Sequence, residues 1–338
     1  MIYVSILNWC AEQDTIACLD SVLATQGVDY KVIVCDNGSP APSYERIAAW
    51  CHARADLATH EVDEHTARQG IRAAAPTPAA GVREVYLIRN TQNLGYAGGN
   101  NVALKFALSD PAAAQVWVLN NDTVVRPDSL AHMVRVMQAD AGVGICGSRL
   151  VYMDEPDTMQ GLGGIYNAWM CTSTHYGEGR PATMSIDAAD VTRNIDYVIG
   201  ASMLVSVGLL RDVGLLSDEY FLYFEEIDFC TRARHAGYRL GSAPDSVVFH
   251  KEGGATKKKE MSLVSDFFFV KNRILFTWKF FPMRLPLAVM SVALAAALRM
   301  KRGETRKSLQ AMKVILYFFK GRQALTRYRG PLGAKVAP

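Results

Sequence analysis

The chain has 338 residues, half of them apolar, which predicts a globular protein with a large core and excludes an intrinsically disordered one. Its net charge of +3 is unevenly distributed: residues 257–338 carry 18 Lys and Arg against three acids, a charge of +15, and residues 1–256 carry −12. A basic tail on an acidic body indicates an anionic surface as the partner of the tail. Seven scattered Cys without a C-x-x-C pair argue against a disulfide framework or a zinc site and favour a reducing compartment.

The first 40 residues predict a βαβ unit. Strands are predicted over 2–7 and 31–35 with a helix between them, and polar residues follow both strands, at Asn8 and Asp36. Two parallel strands joined by a helix begin a parallel sheet. The first strand has no basic region before it and no cleavage site after it, so no signal peptide is predicted and the protein is expected in the cytoplasm.

Residues 52–83 are rich in Ala, show little periodicity and predict a surface excursion. His52, His60 and His65 could form a metal cluster there, but their irregular spacing favours solvated loop side chains. The sequence assigns this excursion no role.

A third strand, 85–88, precedes a Gly-rich turn and a helix to residue 108. The turn is Asn93-Leu-Gly-Tyr-Ala-Gly-Gly-Asn-Asn101, and its glycines allow a backbone to approach a ligand while the helix N-terminus favours an anion. Such turns also serve plain strand-to-helix packing. The spacing matches neither G-x-G-x-x-G nor a P-loop, so neither a dinucleotide nor an ATP site of those kinds is indicated.

A short buried strand, 116–119, ends in the polar run Asn120-Asn-Asp-Thr123. Ligands of open α/β sheets bind just past the carboxyl ends of the strands, and a lone carboxylate such as Asp122 is suited to a hard divalent cation. The alternative is a turn that caps the helix predicted over 128–139. These residues alone leave both interpretations open.

The next part of the chain predicts further strands and one long connection. Strands are expected over 143–146, 197–206 and 247–250, the last ending in His250, which by itself would more often be structural than a ligand. The polar, Gly-containing residues 152–195 predict a long, partly mobile loop region, and loops of this length are usually functional lids or binding surfaces.

The stretch 221–237 carries a second group of candidate side chains. Aromatic residues precede a helix that begins near residue 225 and is capped by Gly237, and its first turn holds Glu225, Glu226 and Asp228. Acids at a helix start complement the macrodipole. Three acids in four positions exceed what capping needs, and like charges this close raise one pKa, so a functional role is favoured.

Beyond residue 256, aromatic residues alternate with Lys and Arg. The stretch 285–298 is almost wholly apolar but, at 14 residues, shorter than the roughly 20 that a comfortable membrane span needs. Aromatic and basic residues at both borders predict a helix lying in the interface of an anionic leaflet, with 309–319 as a second helix in the same plane. A packed C-terminal helix pair is the alternative.

Taken together, these motifs resemble glycosyltransferase family 2, the inverting enzymes of the GT-A fold, and in particular the rhamnosyltransferase-like branch of bacterial surface polysaccharide biosynthesis. The resemblance covers residues 2 to about 280 and depends on the order of several motifs, each modest alone. They are Val4-Ser-Ile-Leu-Asn-Trp9, Val34-Cys-Asp-Asn-Gly-Ser39, Asn93–Asn101, Leu119-Asn-Asn-Asp-Thr123, Gly200-Ala-Ser-Met-Leu204, Phe221-Leu-Tyr-Phe-Glu-Glu-Ile-Asp-Phe229 and His250.

The resemblance implies an α/β fold of the GT-A type, a Rossmann-like, mixed but mostly parallel sheet flanked by helices. It implies a catalytic domain over 1–255, with a nucleotide-binding half of about 1–125 and an acceptor half of about 126–255. Residues 256–338 are then expected to form a basic, aromatic-rich, amphipathic helical region that associates with the membrane.

The resemblance also implies roles for individual residues. Asp36 is expected to contact the base of a nucleotide diphosphate sugar, Asp122 to bind the metal of a D-x-D-type motif, and Glu226 to act as the catalytic base. The remaining expected site residues are Glu225 and Asp228 as alternatives for the base, His250 as a second metal ligand, Asn8, Asn93, Gly95, Gly98, Asn101 and Asn121 around the donor nucleotide, and Trp169, Gly200 and Ala201 around the acceptor or sugar.

Two departures from the family pattern matter. The first acid of the D-x-D-type motif is Asn120 here, so metal coordination depends on Asp122, with His250 as a further candidate. The usual Glu-Asp pair is Glu225-Glu226, so the base would be a Glu.

The expected function is transfer of a sugar, with rhamnose favoured by the branch, from a UDP- or dTDP-type donor to a glycan or a polyprenyl-diphosphate-linked saccharide. A carboxylate would remove the proton of the attacking hydroxyl, and Mg²⁺ or Mn²⁺ would neutralise the diphosphate. The protein is expected on the cytoplasmic face of the inner membrane, without a nucleic-acid partner. The alternative is a non-catalytic, membrane-associated scaffold or sugar-nucleotide-binding protein; a processive synthase is disfavoured because no Q-x-x-R-W motif is present.

Overall fold

The computed structural model describes residues 1–70, 79, 81–251 and 259–330, including all side chains of these residues except those of 259–262. The described strands are β1 (Ile2–Asn8), β2 (Tyr30–Asp36), β3 (Leu57–Asp63), β4 (Arg83–Arg89), β5 (Gln115–Asn120), β6 (Thr123–Val125), β7 (Val143–Tyr152), β8 (Met159–Gly161), β9 (Gly164–Asn167), β10 (Thr172–His175), β11 (Ser202–Ser206) and β12 (Arg239–His250). The described α-helices are α1 (Glu12–Leu23), α2 (Ser43–His52), α3 (Glu64–Gln69), α4 (Gly95–Leu108), α5 (Ser129–Ala139), α6 (Ala188–Asn194), α7 (Val207–Val213), α8 (Glu225–His235), α9 (Lys259–Phe280), α10 (Leu285–Lys301), α11 (Thr305–Phe319) and α12 (Arg322–Arg327).

One large sheet organises the chain, with the strand order β3-β4-β2-β1-β5-β11-β7-β12-β6 and with β8 added to β7. The pairs β3–β4, β4–β2, β2–β1, β1–β5 and β7–β12 are parallel, whereas β11 runs antiparallel to both β5 and β7. The predicted mixed, mostly parallel sheet flanked by helices is therefore confirmed. The parallel part follows from the short helical crossovers that the first 125 residues encode.

Two hydrophobic cores cover the two faces of the sheet, and β1 shows how the sequence supplies both. Tyr3 and Leu7 point into the core that also contains residues of α4, α8 and α9, while Val4 and Ile6 point into the core formed with α1, α2 and α5. Successive side chains of a strand alternate between faces, so an uninterrupted apolar strand is what a sheet covered on both sides requires.

The predicted surface excursion over 52–83 is wrong for residues 57–69, which form β3 and α3. β3 pairs with β4 along its whole length, from Leu57 opposite Arg83 to Asp63 opposite Arg89. It is an edge strand, half-buried along most of its length, so its sequence lacks the apolar run by which a buried strand is recognised.

Two of the three histidines of that excursion make separate contacts. His52 Nε2 lies 3.0 Å from a carboxylate oxygen of Glu61, and the His60 ring stacks on Tyr86. Among the residues that the structure describes, no three His, Cys, Asp or Glu side chains are grouped so that they could hold a metal. The remainder of the excursion, residues 71–78 and 80, lies outside the described residues.

The predicted loop region 152–195 contains three short strands and a helix. β8 extends the large sheet beside β7, and β9 pairs with β10 as a separate two-stranded hairpin. The strand predicted over 197–206 is shorter, because only Ser202–Ser206 pairs with β5. Short strands with Gly and polar residues show no sustained period of two, which explains why the sequence indicated a loop.

Helix α9 belongs to the core formed with residues 1–255 even though it follows residue 255. Phe268, Ile274 and Phe276 of α9 are buried in the same cluster as Phe224 and Phe229. The rings of Phe276 and Phe224 lie 5.7 Å apart. Sequence composition placed a boundary at residue 255, but the apolar face of α9 packs across it.

Helices α10 and α11 extend this core through their inner faces, with Val292 and Val314 in the same cluster, and pack against each other through small residues. Ala288, Val292 and Ala296 of α10 are buried, and the Ser308 hydroxyl of α11 donates a hydrogen bond to the Ala296 carbonyl at 2.8 Å. The segment Pro282–Lys301 is long and apolar enough to cross a membrane by length and composition, and 17% of its most apolar window is buried.

Substituting Phe276→Ala should lower the free energy of unfolding of the protein by about 3–5 kcal/mol, because it removes a ring from a packed core. Phe319→Ala in α11 is the matched control: its ring is 75% exposed, so its effect should stay within about 0.5 kcal/mol. Denaturant unfolding followed by near-ultraviolet circular dichroism measures both. Equal, small effects of the two substitutions would contradict the placement of α9 in the core.

Candidate active site

The carboxyl ends of three neighbouring parallel strands bring the first polar residues together. Asn8 at the end of β1 lies opposite Asp36 at the end of β2, and Leu7 lies opposite Asn120 of β5. Open α/β sheets bind ligands at this edge. The structure therefore groups the polar residues that follow β1, β2 and β5, as the sequence predicted for neighbouring parallel strands.

Asp36 is buried and fixed by neighbouring donors. Its Oδ2 accepts a hydrogen bond from Asn8 Nδ2 at 2.6 Å, and its Oδ1 accepts one from the backbone N–H of Ser39 at 2.9 Å. The network continues through Thr15, whose hydroxyl donates to Asn8 Oδ1 at 2.8 Å and accepts from Asn121 Nδ2 at 2.9 Å. These bonds connect Asp36 with the polar run after β5, so the expected nucleotide-binding side chains form one continuous network.

The Gly-rich turn is held by Asn37. Its amide nitrogen donates to Asn93 Oδ1 and to the Gly95 carbonyl, both at 3.0 Å, and its Oδ1 accepts from the backbone N–H of Leu94 at 3.1 Å. Gly95 has φ +76°, and a Cβ there would lie 2.4 Å from the carbonyl oxygen of Phe221. This glycine is required because it lets the turn contact the segment that precedes α8.

Two other residues of the turn have different surroundings. Asn101 is committed to a structural contact, since its amide nitrogen donates to the Leu216 carbonyl and its Oδ1 accepts the Leu216 N–H. Both polar atoms of the Asn101 side chain therefore anchor the loop that contains Leu216, and its expected role at the donor nucleotide stays a prediction. Gly98 lies within α4, where an added Cβ would lie 2.8 Å from the Cβ of Leu94.

Asp122 and His250 form the part of the site that could hold a metal. β6 and β12 pair antiparallel, with Thr123 opposite His250, and this brings His250 Nε2 to 3.3 Å from Asp122 Oδ1. Burial tends to raise the pKa of Asp122, but the hydrogen bond and charge of His250 outweigh it and lower that pKa. The other ring nitrogen, Nδ1, lies 2.9 Å from Gln160 Oε1 on β8.

The geometry of this pair fits a divalent cation. Two ligands at roughly 2.1 Å from one ion and at right angles are about 3 Å apart, close to the separation between Asp122 and His250. If Nδ1 of His250 donates its hydrogen to Gln160, a neutral ring directs the lone pair of Nε2 at the Asp122 carboxylate. A cation bound between them would satisfy both the imidazole and the carboxylate. Asn120 Oδ1, also buried, has no hydrogen-bond partner among the described residues.

The acids of α8 follow a segment with strained backbone. Phe221, Tyr223 and Phe224 have φ of +66°, +66° and +76°, in the left-handed region, which costs about 1–2 kcal/mol per residue for side chains with a Cβ. Aromatic packing offsets this cost: the Phe221 ring stacks on Phe268 of α9 with centroids 4.8 Å apart. The segment thereby turns the start of α8 toward the interior.

Glu225 is consequently buried, and Glu226 is half-buried. Burial, the charge of Glu226 and then that of Asp228 raise the pKa of Glu225 well above its ordinary value. Burial raises the pKa of Glu226 to about 7, although backbone hydrogen bonds at Glu226 and Phe224 act in the opposite direction. Within the described part of the chain, the Oε2 atoms of both carboxyls are buried without a hydrogen-bond partner.

Asp228 is placed differently from its two neighbours. Its carboxylate is fully buried, with Oδ1 accepting from Arg232 Nε at 2.6 Å and Oδ2 accepting from the Tyr220 hydroxyl at 3.0 Å and from Lys279 of α9. Both oxygens are therefore engaged with cations or a hydroxyl. This leaves Glu225 and Glu226 as the carboxyls of α8 available to a ligand.

Tyr96 lies beside Gly200 and close to Glu226. Burial, followed by the charges of Glu225, Glu226 and Asp122, raises the pKa of Tyr96 well above its ordinary value. Its hydroxyl donates to the Gly200 carbonyl at 2.8 Å. A Cβ on Gly200 would lie 3.6 Å from both Glu226 Cβ and the Tyr96 hydroxyl.

The residues expected around the acceptor divide into two places. Gly200 adjoins Glu226. The Ala201 carbonyl accepts the N–H of Asn120 at 3.0 Å, so Ala201 borders the polar run that contains Asp122. Trp169 lies at the tip of the β9–β10 hairpin, 67% exposed, with the Arg284 guanidinium 4.2 Å from its ring centroid. Trp169 therefore stands on the surface beside the C-terminal helices.

Sequence reasoning missed several residues that build the site. Asn37 lies in the motif Val34–Ser39 and Tyr96 in the motif Asn93–Asn101. Their positions next to Asp36 and among the glycines could have identified them as site residues. Thr15 and Gln160 lie in a plain helix and in a region taken for a loop, so only the fold brings Thr15 to Asn8 and Gln160 to His250.

The chain belongs to the family described as glycosyltransferase-like family 2, whose sequence model matches residues 1–265. It is similar to the low-salt glycan biosynthesis hexosyltransferase Agl10 of Haloferax volcanii, with 22% identity over 174 residues that cover 50% of this chain and 52% of the relative. It is also similar to the uncharacterized protein y4gI of Sinorhizobium fredii, with 26% identity over 181 residues that cover 51% of this chain and 19% of the relative. The chain thus spans about half the length of the first relative and about a fifth of the second.

Two solved structures share the fold. The mannosyltransferase PcManGT of Pyrobaculum calidifontis, in complex with GDP-Man and Mn²⁺, matches with a TM-score of 0.54 and 14% identity over 94% of this chain and 87% of that chain. GalNAc-T7 with UDP, GalNAc and Mn²⁺ matches with a TM-score of 0.51 and 12% identity over 81% of this chain and 50% of that chain. The predicted GT-A-type fold is confirmed by these likenesses.

Proposed function

We propose that this protein is an inverting glycosyltransferase that moves a sugar from a nucleotide diphosphate sugar to a hydroxyl group of a saccharide acceptor. The observation that carries the proposal is Glu226, a half-buried carboxyl with one unpartnered oxygen among the described residues and a pKa raised to about 7. Glu226 adjoins Gly200, and the next residue, Ala201, accepts the N–H of Asn120 at the start of the polar run that contains Asp122. A general base works best when its pKa lies near the working pH. A scaffold would gain nothing from burying such groups, because burying an unpaired carboxyl is costly.

In the proposed reaction, Glu226 accepts the proton of the acceptor hydroxyl as its oxygen attacks the anomeric carbon. The bond from that carbon to the diphosphate oxygen breaks, and the nucleoside diphosphate leaves with the bonding electron pair. One displacement inverts the anomeric configuration. Burial and the charge of Glu226 raise the pKa of Glu225 well above its ordinary value, which favours its neutral form and so avoids a second negative charge beside the base.

The donor is proposed to lie along the edge formed by Asn8, Asp36, Asn121 and the Gly-rich turn, with the nucleotide on the side of Asp36. Asp122 and His250 would hold a divalent cation, Mg²⁺ or Mn²⁺, which when bound supplies the charge that neutralises the diphosphate. The structural relatives that contain GDP-Man or UDP together with Mn²⁺ support a nucleotide-sugar donor and a metal.

The particular sugar is proposed from motif likeness. The rhamnosyltransferase-like motifs favour rhamnose on a UDP- or dTDP-type nucleotide, and a polyprenyl-diphosphate-linked saccharide as the acceptor at the cytoplasmic face of the inner membrane. A panel that contains dTDP-rhamnose, UDP sugars and GDP-mannose, read out by release of nucleoside diphosphate, tests the donor. Release from none of them with a lipid-linked acceptor would contradict the proposed activity.

Attachment to that membrane is proposed to use α10 and α11. The exposed apolar residues of α10, namely Leu287, Met290, Leu294 and Leu298, recur at spacings of three and four, and so do Leu309, Met312, Leu316 and Phe319 of α11. Each set lies on one face of its helix. Arg306, Lys313 and Lys320 recur every seven residues beside the apolar face of α11, where they can contact anionic headgroups.

Glu226→Gln should lower kcat by about 10²–10⁴-fold while the dissociation constant of the donor changes little, because the amide cannot accept the proton. In the unsubstituted enzyme, kcat/KM should fall about tenfold per pH unit below about pH 7, as Glu226 becomes protonated, and should level off above it. Steady-state rates across pH 5.5–8.5, with donor binding by calorimetry, measure both. Retained turnover in the variant would assign the base to another residue.

Asp122→Ala and His250→Gln should each weaken Mn²⁺ binding by at least about tenfold, because each removes one of two protein ligands. Electron paramagnetic resonance of free Mn²⁺, in the presence of nucleoside diphosphate, gives the affinity independently of turnover. His132→Gln is the matched control, since His132 forms a similar pair with Asp128, at 3.4 Å, away from the site. An unchanged affinity in both site variants would contradict this metal assignment.

Replacing Leu294 and Leu316 together by Glu should reduce binding to vesicles that contain phosphatidylglycerol by at least about tenfold, because it places charges on both apolar faces. Met184→Glu, at a residue 40% exposed in the catalytic region, is the control. Deleting residues 257–338 is a poorer test because it also removes α9 from the core. Retention in bilayers after an alkaline wash would instead indicate that Pro282–Lys301 spans the membrane.

A further inference from the structure

The segment that carries the proposed base needs support from outside its own helix. Phe221, Tyr223 and Phe224 all occupy the left-handed region, directly before Glu225 and Glu226. The Phe221 carbonyl accepts the N–H of Tyr96, and the Phe224 carbonyl accepts the N–H of Asp228 within α8. The carbonyl groups of Tyr220, Leu222 and Tyr223 lie outside any helix or strand and need other donors. The position of Glu226 therefore depends on what holds these three carbonyl groups.

Asn272 of α9 provides that support. It is fully buried, and its amide nitrogen lies 2.9, 2.7 and 2.9 Å from the carbonyl oxygens of Tyr220, Leu222 and Tyr223. An amide group has two hydrogens, so at least one is shared between two carbonyl oxygens. One side chain thus fixes three carbonyls of the segment that leads into α8.

A second residue of α9 holds the other end of the same segment. Lys279 lies two helical turns beyond Asn272 and forms an ion pair with Asp228, whose carboxylate is also bonded to Tyr220 and Arg232. The two glutamates lie between these two attachment points. The residues matched by the family end at 265, so both attachments come from a part of the chain beyond that match.

We infer that Asn272 is a positioning residue for Glu226, and that α9 completes the active site by fixing both ends of segment 220–228. This inference rests on the proposed function. Asn272 acts through the backbone and Lys279 through Asp228, and Glu226 remains the group that accepts the proton. Small displacements of a base have large effects on rate, which makes the inference measurable.

The test uses the full chain and compares Asn272→Ala with Thr277→Val. Thr277 is fully buried on the same helix, and its hydroxyl donates to the Arg273 carbonyl at 2.8 Å, so Thr277→Val also removes a buried hydrogen bond. Asn272→Ala should lower kcat by roughly 10²-fold with the dissociation constant of the donor within about threefold of the original. Thr277→Val should keep kcat within about threefold, even where it lowers the melting temperature equally.

Lys279→Met is the second variant, and it keeps the inference testable if Asn272→Ala does not fold. Asp228 retains Arg232 and Tyr220 in this variant, so the protein should fold, and kcat should fall about tenfold with donor binding unchanged. A kcat in folded Asn272→Ala or Lys279→Met that equals that of Thr277→Val would overturn the inference. Absence of transfer by the unsubstituted enzyme would instead refute the proposed function, so the two failures are distinguishable.

Discussion

The burial of two adjacent carboxyl groups, Glu225 and Glu226, at the start of α8 is the constraint on which the rest of the site depends. Neither Oε2 atom has a hydrogen-bond partner among the described residues, so ionising either group inside the protein is costly and their pKa values are raised. Three left-handed residues before α8 add to the cost. An arrangement this unfavourable persists only where surrounding packing stabilises it, and here α9 supplies that packing.

The opposite side of the site follows from sheet topology. Asn8, Asp36 and Asn120 end parallel neighbouring strands, and the antiparallel pairing of β6 with β12 brings His250 to Asp122 across 128 positions of sequence. In the proposed metal site, an imidazole stands where the first carboxylate of a D-x-D-type motif is missing. Gln160 on β8 orients that imidazole, which gives a structural purpose to a short strand in a polar connection.

The C-terminal region combines two kinds of contact. Helix α9 faces inward, where Phe268 and Phe276 extend the core of the catalytic region, whereas α10 and α11 expose apolar stripes with Lys and Arg beside them. Aromatic and basic residues therefore occur both in a helix that packs in the protein interior and in helices proposed to lie on a bilayer. The two uses differ in what covers the helices: neighbouring elements cover α9, whereas the outer faces of α10 and α11 are open.

The sequence by itself determined the class of fold and most of the candidate chemistry. Periodicity and residue type make two local patterns readable: apolar strands followed by Asn8, Asp36 and Asp122, and acids clustered in the first turn of a helix. Tertiary structure alone decided how these residues are used. Asp228 is neutralised by Lys279 from 51 positions away, and Asn101 is taken up by Leu216 from 115 positions away. Such assignments depend on contacts between distant segments, and local sequence carries no record of which distant partner will satisfy a buried polar group.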